Sequence, residues 1–444
     1  MNELVIAEND FKAIKTSLLG GANESCAVFF AYEVLRADGV RRTLAREFVF
    51  PSEDAYSRRG PFEAELNPTF VAFATKRALT LGCALVFVHS HPGSTAPQFS
   101  SVDAAGERHL ADFLAHRHPE PTHISMVISE GGVCARVLGT LEYVRVTSLG
   151  PHRHVLFEPH SEGSEPNETF DRQVRAFGAV GQQSLERLRV GIVGLGGTGS
   201  IVAEQLAHLG VRNFILLDPD VLDPTNVNRV VGSSKSAVGT HKTKLAEKLI
   251  RQVATNANIK AIPGDVTSLG VARELLDTDF IFGCTDSHGS RAVLQQIAYQ
   301  YLIPCVDMGT TIAVDAGRVT HVVGRVQALS PGLACFACGE LLNANEVRRD
   351  LMSPFERKSD PYFLGPAEPA PSVISINGTV ASLAITMFLS IVAGIPSDAR
   401  YLVYNAIAST LRPVRGVPTK DCYVCSLRGA FARGESWPIQ ARLD

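Results

Sequence analysis

The chain predicts an α/β protein of two domains separated by a linker. Three observations carry that expectation. From residue 169 onward, short apolar runs alternate with helical patterns (LRVGIVGL, SIVAEQLAHLG, NFILLD), which is the rhythm of βαβ units and a mostly parallel sheet. Residues 1–148 form a separate block that also mixes strands and helices. Between the two, 149–168 is rich in Pro, Gly, His and acids (GPHRHVLFEPHSEGSEPNE) and reads as a linker whose irregularly spaced histidines are solvated. A length of 444 residues suits two or three domains with buried cores.

In the first block, CAVFFAYEVL (26–35), ALVFVHS (84–90), THISMVIS (122–129) and GGVCARVL (131–138) are expected strands, and NPTFVAFATKRALTLG (67–82) an expected helix. In the second block, 344–372 is polar and proline-rich and is expected to be a surface loop. The segment VISINGTVASLAITMFLSIVAGI (373–395) is long enough to span a membrane. Asn377, Gly378 and several Ser and Thr interrupt it, and it lacks anchoring aromatic or basic flanks, so a buried helix is the better reading. The net charge is −3 with no basic run, which argues against nucleic acid as a partner. The start MNELVIAENDF lacks a basic head and apolar run, so no secretory signal is expected. A cytoplasmic location follows, with the nine cysteines as thiols or metal ligands rather than disulfides.

Three constellations carry chemistry. The first is HSHPGSTAPQFSSVD, 89–103. Alternate residues leave a strand on one face, so His89 and His91 can approach one ion together. Asp103 can return as a third ligand. Two His and one carboxylate leave a fourth position of tetrahedral zinc for water, as in a catalytic site. A nearby Glu can then serve as general base. The full pattern, HxHP and then SxxD, resembles the JAMM/MPN metalloproteases, a family that includes deubiquitinases, over roughly the first 145 residues. That resemblance implies His89, His91 and Asp103 as ligands of a catalytic Zn²⁺, and Ser100 as a support for the tetrahedral intermediate. It implies Glu24 as the catalytic acid–base, with Glu33 in reserve. The family's glycine a few residues after that Glu is absent, and Cys26-Ala27 stand there.

The second constellation is GIVGLGGTGS, which follows a strand and opens a helix. Gly194, Gly196, Gly197 and Gly199 let the backbone approach a phosphate at a helix N-terminus. Asp218 ends the next strand and suits a ribose, so the loop alone fits NAD as well as ATP. The surrounding set is what a dehydrogenase does not need: Asp218, Asp220, Asn226, Asn228, Arg229, Lys242 and Asp286. Arg and Lys suit a triphosphate, and Asp286 suits Mg²⁺. From about 169 to 430 the chain resembles the ubiquitin-activating superfamily in its ThiF/MoeB branch, including FDRQVRAFGAVGQQSLERLRVGIVGLGGTGS. The resemblance implies Arg172 acting in trans across a homodimer, Asp218 on the ribose, Asn226, Arg229 and Lys242 on the phosphates, and Asp286 on Mg²⁺. It implies ATP-dependent adenylation of the C-terminal carboxylate of a ubiquitin-like or sulfur-carrier protein, with a conjugating enzyme as a further partner.

The third is Cys335-x-x-Cys338 with Cys422-x-x-Cys425, which can close a four-thiolate structural zinc site. Its long spacing matches the zinc clip of the activating superfamily. A redox CxxC or plain thiols are the alternatives. No cysteine lies between 338 and 422, where enzymes of this superfamily that form thioesters usually carry one. The product is then expected to remain an adenylate, with Ser353 or Ser359 as the alternative acyl acceptor. Two other classes stay open: a non-catalytic scaffold that binds a ubiquitin-like protein, and an NAD oxidoreductase.

Overall fold

The computed structural model describes residues 2–159, 168–353, 356 and 370–443. The chain divides into two compact units. The first is Met1–Gly163 with Gln300–Leu302 and Leu427–Pro438; the second is Ser164–Tyr299, Ile303–Ser426 and Ile439–Asp444. Residues 427–438, assigned by the sequence to the second domain, thus cluster with the first. Arg46 donates to the carbonyls of Phe431 and Leu427, and Gln300 Nε2 donates to those of Gly434 and Trp437 at 2.7 and 2.6 Å.

The first unit runs β1 (Glu3–Ala7), α1 (Glu8–Leu18), β2 (Cys26–Leu35), β3 (Arg41–Val49), β4 (Tyr56–Gly60), β5 (Glu63–Leu66), α2 (Pro68–Leu81), β6 (Ala84–Ser90), α3 (Ser101–Arg117), β7 (Ile124–Ser129), β8 (Gly132–Val137), β9 (Arg145–Leu149) and β10 (Arg153–Phe157). Eight of these strands make one mixed sheet in the order β10-β9-β1-β3-β2-β6-β7-β8, with β4 and β5 as a separate hairpin. The continuous apolar runs of β2 and β6 are explained by burial on both faces. Ala27, Phe29, Ala31, Val86 and Val88 pack in one core with Ile14 and Leu18 of α1. Val28, Phe30, Leu85 and Phe87 pack in the other with Ala74 and Ala78 of α2 and Leu114 of α3. α2 begins where Asn67 caps Phe70 N–H at 2.8 Å with Pro68 following, and ends at Gly82 in the left-handed region.

The expected linker is corrected in part. Residues 153–157 are strand β10, paired antiparallel with β9, and Leu156 and Phe157 pack on the first core. The Pro, Gly and His around this run hid a short edge strand. Residues 160–167 lie outside the described residues.

The second unit runs α4 (Asp171–Arg187), β11 (Arg189–Val193), α5 (Gly199–His208), β12 (Asn213–Leu217), α6 (Lys242–Val253), β13 (Asn258–Ile262), α7 (Leu269–Glu274), β14 (Phe280–Gly283), α8 (His288–Gln300), β15 (Cys305–Asp315), β16 (Arg318–Leu329), α9 (Ala344–Leu351), α10 (Ile374–Val392), β17 (Tyr401–Asn405) and β18 (Thr410–Pro413). The sheet order is β13-β12-β11-β14-β15-β16-β17-β18. The first five strands are parallel, as expected; β16, β17 and β18 extend the sheet antiparallel. Strand order reverses beside β11, so the crevice between the carboxyl ends of β11 and β14 is the switch point at which such sheets bind ligands.

The segment that could pass for a membrane span is α10. Val380, Ala381, Ala384 and Phe388 are buried in one core with Phe280, Phe282, Met308 and Val326 of the sheet, and Phe388 meets Phe280 edge-on at 4.7 Å. The expected loop 344–372 is also corrected, since 344–351 is helix α9, capped by Asn343 on the N–H groups of Asn345 and Glu346.

Candidate functional sites

In the first unit, β2 and β6 lie antiparallel with Cys26 opposite His89. That pairing brings Glu24, just ahead of β2, to the end of β6. Ser25 N–H donates to Ser90 Oγ and Ser90 N–H to Ser25 O, both at 3.0 Å, which staples the two chain segments. His91 N–H donates to Ile128 O at 2.9 Å and fixes the exit from β6 beside β7. Asp103 comes from the first turn of α3. His89 Nε2 lies 3.3 Å from Asp103 Oδ1, and His91 Nε2 lies 3.4 Å from Asp103 Oδ2 and 3.7 Å from Glu24 Oε1. The ligand atoms of His89, His91 and Asp103 all fall within 4.8 Å of one another. A tetrahedron with ~2.0 Å bonds has edges of about 3.3 Å, so this donor set fits zinc. His89 Nε2 is buried and makes no aligned hydrogen bond, as a nitrogen kept for a metal would.

Burial pushes Asp103 upward, but the His89 and His91 imidazoles and the Ser100 N–H outweigh it and hold the carboxyl far below the usual range. Burial raises Glu24; the two imidazoles pull it back, and Asp103 and Glu63 push it further up. Two carboxylates in one site are thus driven apart, one toward a permanent anion and one toward a proton carrier. Glu33, the reserve for Glu24, sits at the other end of β2 and binds Arg41 at 2.9 Å. Ser100 has a local role that the sequence reading missed. Its Oγ accepts Asp103 N–H at 3.1 Å, and Asp103 Oδ2 accepts Ser100 N–H at 2.6 Å, so SxxD is a capping box that orients the ligand. The cap uses the hydroxyl's lone pair and leaves its O–H to donate elsewhere.

Behind the ligands, Arg136 Nε donates to Glu107 Oε2 at 2.9 Å, with both side chains buried. Glu107 lies one turn after Asp103 on α3, so this pair fixes α3 against β8. The Arg136 guanidinium also lies 3.8 Å from the centre of the Phe99 ring, which packs 6.0 Å from His89. Arg136→Leu leaves Glu107 as a buried unpaired charge, and the expected loss is about 3–5 kcal/mol of stability, read in urea unfolding. An unchanged midpoint would mean the pair is not buried in solution.

In the second unit the glycine loop is built by close approach. A Cβ at Gly199 would stand 1.8 Å from Gly194 O, and Gly194 itself has φ +87 with Cys284 O at 2.7 Å from its would-be Cβ. Gly196 faces open space. Asp218, 4% exposed, accepts Leu195 N–H at 2.6 Å and Asp220 N–H at 2.9 Å. Burial raises its carboxyl. The expected ribose acid is therefore also the anchor of the phosphate loop, while Asp220 beside it is solvent-facing. Lys242 Nζ, at the start of α6, lies 2.7 Å from Asp220 Oδ2 and 3.8 Å from Asp218 Oδ1. Arg229 donates to Thr225 O at 2.5 Å and Asn228 Oδ1 at 3.2 Å, and its Cδ would lie 3.5 Å from a Cβ at Gly197. Asn226 closes the turn before it, with Oδ1 accepting Asp223 N–H at 3.5 Å. Asp286 is exposed just past β14 and follows Thr285, whose Cγ2 would lie 3.2 Å from a Cβ at Gly194. Arg172 is exposed on α4.

The sequence reading missed what holds Asp286. Asp307 on β15, fully buried, lies between Arg291 (Nε to Oδ2, 3.3 Å) and Arg325. Arg291 donates to the carbonyls of Thr285 at 2.8 Å and Asp286 at 3.5 Å, so the buried carboxylate sets the loop that carries Asp286. An acid in the apolar run CVDMG was the available signal.

The four cysteines meet. Sulfur separations are 3.6 Å for Cys335–Cys338, 3.5 Å for Cys335–Cys422 and 3.4 Å for Cys338–Cys425. A disulfide needs about 2.05 Å, whereas zinc bonds of ~2.3 Å give sulfur edges of about 3.8 Å, so the set fits a closed zinc site. Hydrogen bonding from Cys425, then from its other neighbours, pulls the Cys335 thiol down to about 6 against burial. Burial pushes Cys26 and Cys83 up to about 12 and Cys134 to about 11, and it raises Cys284 and Cys305 as well. Ser353 is tied to Glu356 in both directions, at 2.8 and 3.2 Å, and Ser359 lies outside the described residues.

A parallel sheet with a glycine loop at its switch point, flanked by acids and bases at the strand ends, defines a nucleotide-binding protein of the doubly wound class. Residues 170–426 match the ThiF family, and the chain belongs to it. Among known proteins it is similar to the molybdopterin-synthase adenylyltransferase of Escherichia coli (strain K12), 25% identical over 264 residues that cover 58% of this chain and 95% of that protein. The SAMP-activating enzyme E1 of Haloferax volcanii is 25% identical over 254 residues, 57% of this chain and 85% of that one. The ubiquitin-like modifier-activating enzyme 5 of Oryza sativa subsp. japonica is 27% identical over 255 residues, 53% and 56% respectively. The family match begins at 170 and leaves the first unit's sheet outside it.

Proposed function

We propose that the second unit adenylates the C-terminal carboxylate of a ubiquitin-like or sulfur-carrier protein. Membership of the ThiF family supports this, and one observation carries it: Arg229, the Asp218–Lys242 pair and residues 284–285, just ahead of Asp286, all pack against the glycine loop. The carboxylate oxygen attacks the α-phosphorus of ATP, the bond to the bridging oxygen breaks, and pyrophosphate leaves. Arg229 and Lys242 neutralise the phosphates, and Asp218 would meet the ribose. Asp286 would hold Mg²⁺, which when bound shields the triphosphate charge. Arg172, exposed on α4, would complete the site of a second copy in a homodimer. Burial raises the thiols outside the four-cysteine cluster and so disfavours their thiolate forms; the acceptor of the acyl adenylate in this reading is a nucleophile on another protein, a conjugating enzyme or a sulfur donor. The four-cysteine set would hold a structural Zn²⁺. A cytoplasmic setting, with ATP and free thiols, goes with this reading. The ThiF match leaves no basis for the NAD alternative.

The first unit supports a second activity, a JAMM-type zinc peptidase acting at the same C-terminus, either to mature the modifier or to release it. The convergence of His89, His91 and Asp103 with Glu24 3.7 Å from His91 carries it. Zinc held there would supply an acidic water and polarise the scissile carbonyl. Glu24 takes the proton and delivers it to the leaving amine. The Ser100 O–H donates to the developing oxyanion.

The test is the intact mass of a candidate ubiquitin-like protein after incubation with the chain and Mg-ATP. An AMP adduct is expected, and Asp286→Ala is expected to slow its formation about 10²–10³-fold. With several ubiquitin-like candidates, a mass that never changes favours the scaffold reading.

A further inference from the structure

The amide that interrupts the apolar helix is not used by either activity as described so far. Asn377 stands in the first turn of α10 and is 2% exposed. Its Oδ1 accepts from Thr310 Oγ1 on β15 at 3.2 Å, and its Nδ2 donates to Ser372 Oγ at 3.0 Å. A Cβ at Gly197 would stand 2.2 Å from Asn377 Nδ2 and 3.5 Å from Arg229 Cδ. The carboxamide therefore rests against the middle of the glycine loop, next to a side chain assigned to the phosphates.

Stability alone does not call for an amide there. Burying one costs free energy unless it is fully bonded, and an apolar residue of the same shape avoids the cost. The rest of this face of α10 is apolar: Val380, Ala381, Ala384 and Phe388. Leu at 377 would keep the same branched skeleton of side-chain heavy atoms, with a larger volume, and raise helix propensity. What Leu could not do is tie β15 and Ser372 by hydrogen bonds to one rigid group that backs Gly197. Gly196, beside it, faces open space, where a phosphate would lie.

We propose that Asn377 is a positioning residue for the phosphate loop: it backs Gly197 so that the loop N–H groups are set for phosphate before the nucleotide arrives. This rests on the nucleotide reading of the crevice. Its effect falls on the phosphates of ATP and not on the adenosine.

The experiment is calorimetric titration of the full chain with ATP and with adenosine, for wild type, Asn377→Leu and Asn377→Ala. For Asn377→Leu the ATP Kd is expected to rise about tenfold, the size of one or two lost hydrogen bonds. The adenosine Kd stays within about twofold, and the melting midpoint does not fall. Asn377→Ala gives the same selectivity if the Leu variant does not fold. Equal weakening of ATP and adenosine overturns the proposal, because that is general damage to the unit. Unchanged ATP binding in both variants also overturns it. A wild-type chain that binds neither ligand removes the nucleotide reading itself, a result distinct from the other two.

Discussion

His89→Ala is expected to remove one of two zinc equivalents per chain and to lower peptide cleavage by at least about 10³-fold, the weight of several kcal/mol of metal assistance. The loss is local. His89 offers one of three ligand atoms within 4.8 Å of each other, and two remaining ligands do not hold zinc. Adenylation should survive, since Asp218, Arg229, Lys242 and Asp286 belong to the other unit. The complementary variant Asp286→Ala should keep cleavage and lose the AMP adduct. Metal content by mass spectrometry and cleavage of a ubiquitin-like fusion are the two readouts. A wild-type chain carrying one zinc, with cleavage unaffected by His89→Ala, would sink the peptidase reading. The same experiment tests Glu24: Glu24→Gln should keep both zinc equivalents and lose cleavage, since it removes the proton carrier and not a ligand.

The second large effect is on stability. Cys422→Ser, or chelation, should lower the melting midpoint by about 10 °C. Cross-linking Cys335–Cys338 to Cys422–Cys425 closes a long loop, which in the chain-entropy model contributes about 4–5 kcal/mol. Each kcal/mol moves the midpoint of a unit this size by about 2–4 °C. Zinc affinity for four thiolates adds to this. The right background is His89→Ala, so that the chelator acts on one site only. Melting that responds to chelator identifies a metal clip. Melting that responds to oxidants and reductants but not to chelator identifies a redox pair. The 3.4–3.6 Å sulfur separations favour the first outcome.

Both candidate ligand sets were legible because local rules preserve them. The period of an extended chain puts His89, near the end of β6, and His91, just past it, on one face, and CxxC spacing lets one turn bite one ion. The glycine loop was legible for a similar reason: strand, turn and helix N-terminus are contiguous in sequence, and the sheet's parallel half follows from that repeat. Glu24 was a choice between two acids at opposite ends of β2. The β2–β6 register decided it, because antiparallel pairing carries one end of β2 to the histidines and leaves Glu33 with Arg41 at the other.

Other features exist only through long-range packing. Strand β10 lay hidden in a run of Pro, Gly and His because an edge strand needs only a few apolar side chains and a partner to pair with. Residues 427–438 read as the end of the second domain, yet carbonyls from that stretch satisfy the buried Arg46 and Gln300 of the first unit. Asp307 was a single acid in an apolar run, and Asn377 one of several polar residues in another, with Ser372 its partner nearby in sequence. Arg291, Arg325, Thr310 and Gly197 reach them only once the sheet is assembled. The sequence by itself determined which atoms are available for zinc and nucleotide, since short-range spacing sets those groups. Tertiary structure decided which acid joins the histidines and what holds the loops, because those contacts depend on register and burial, which no local pattern records.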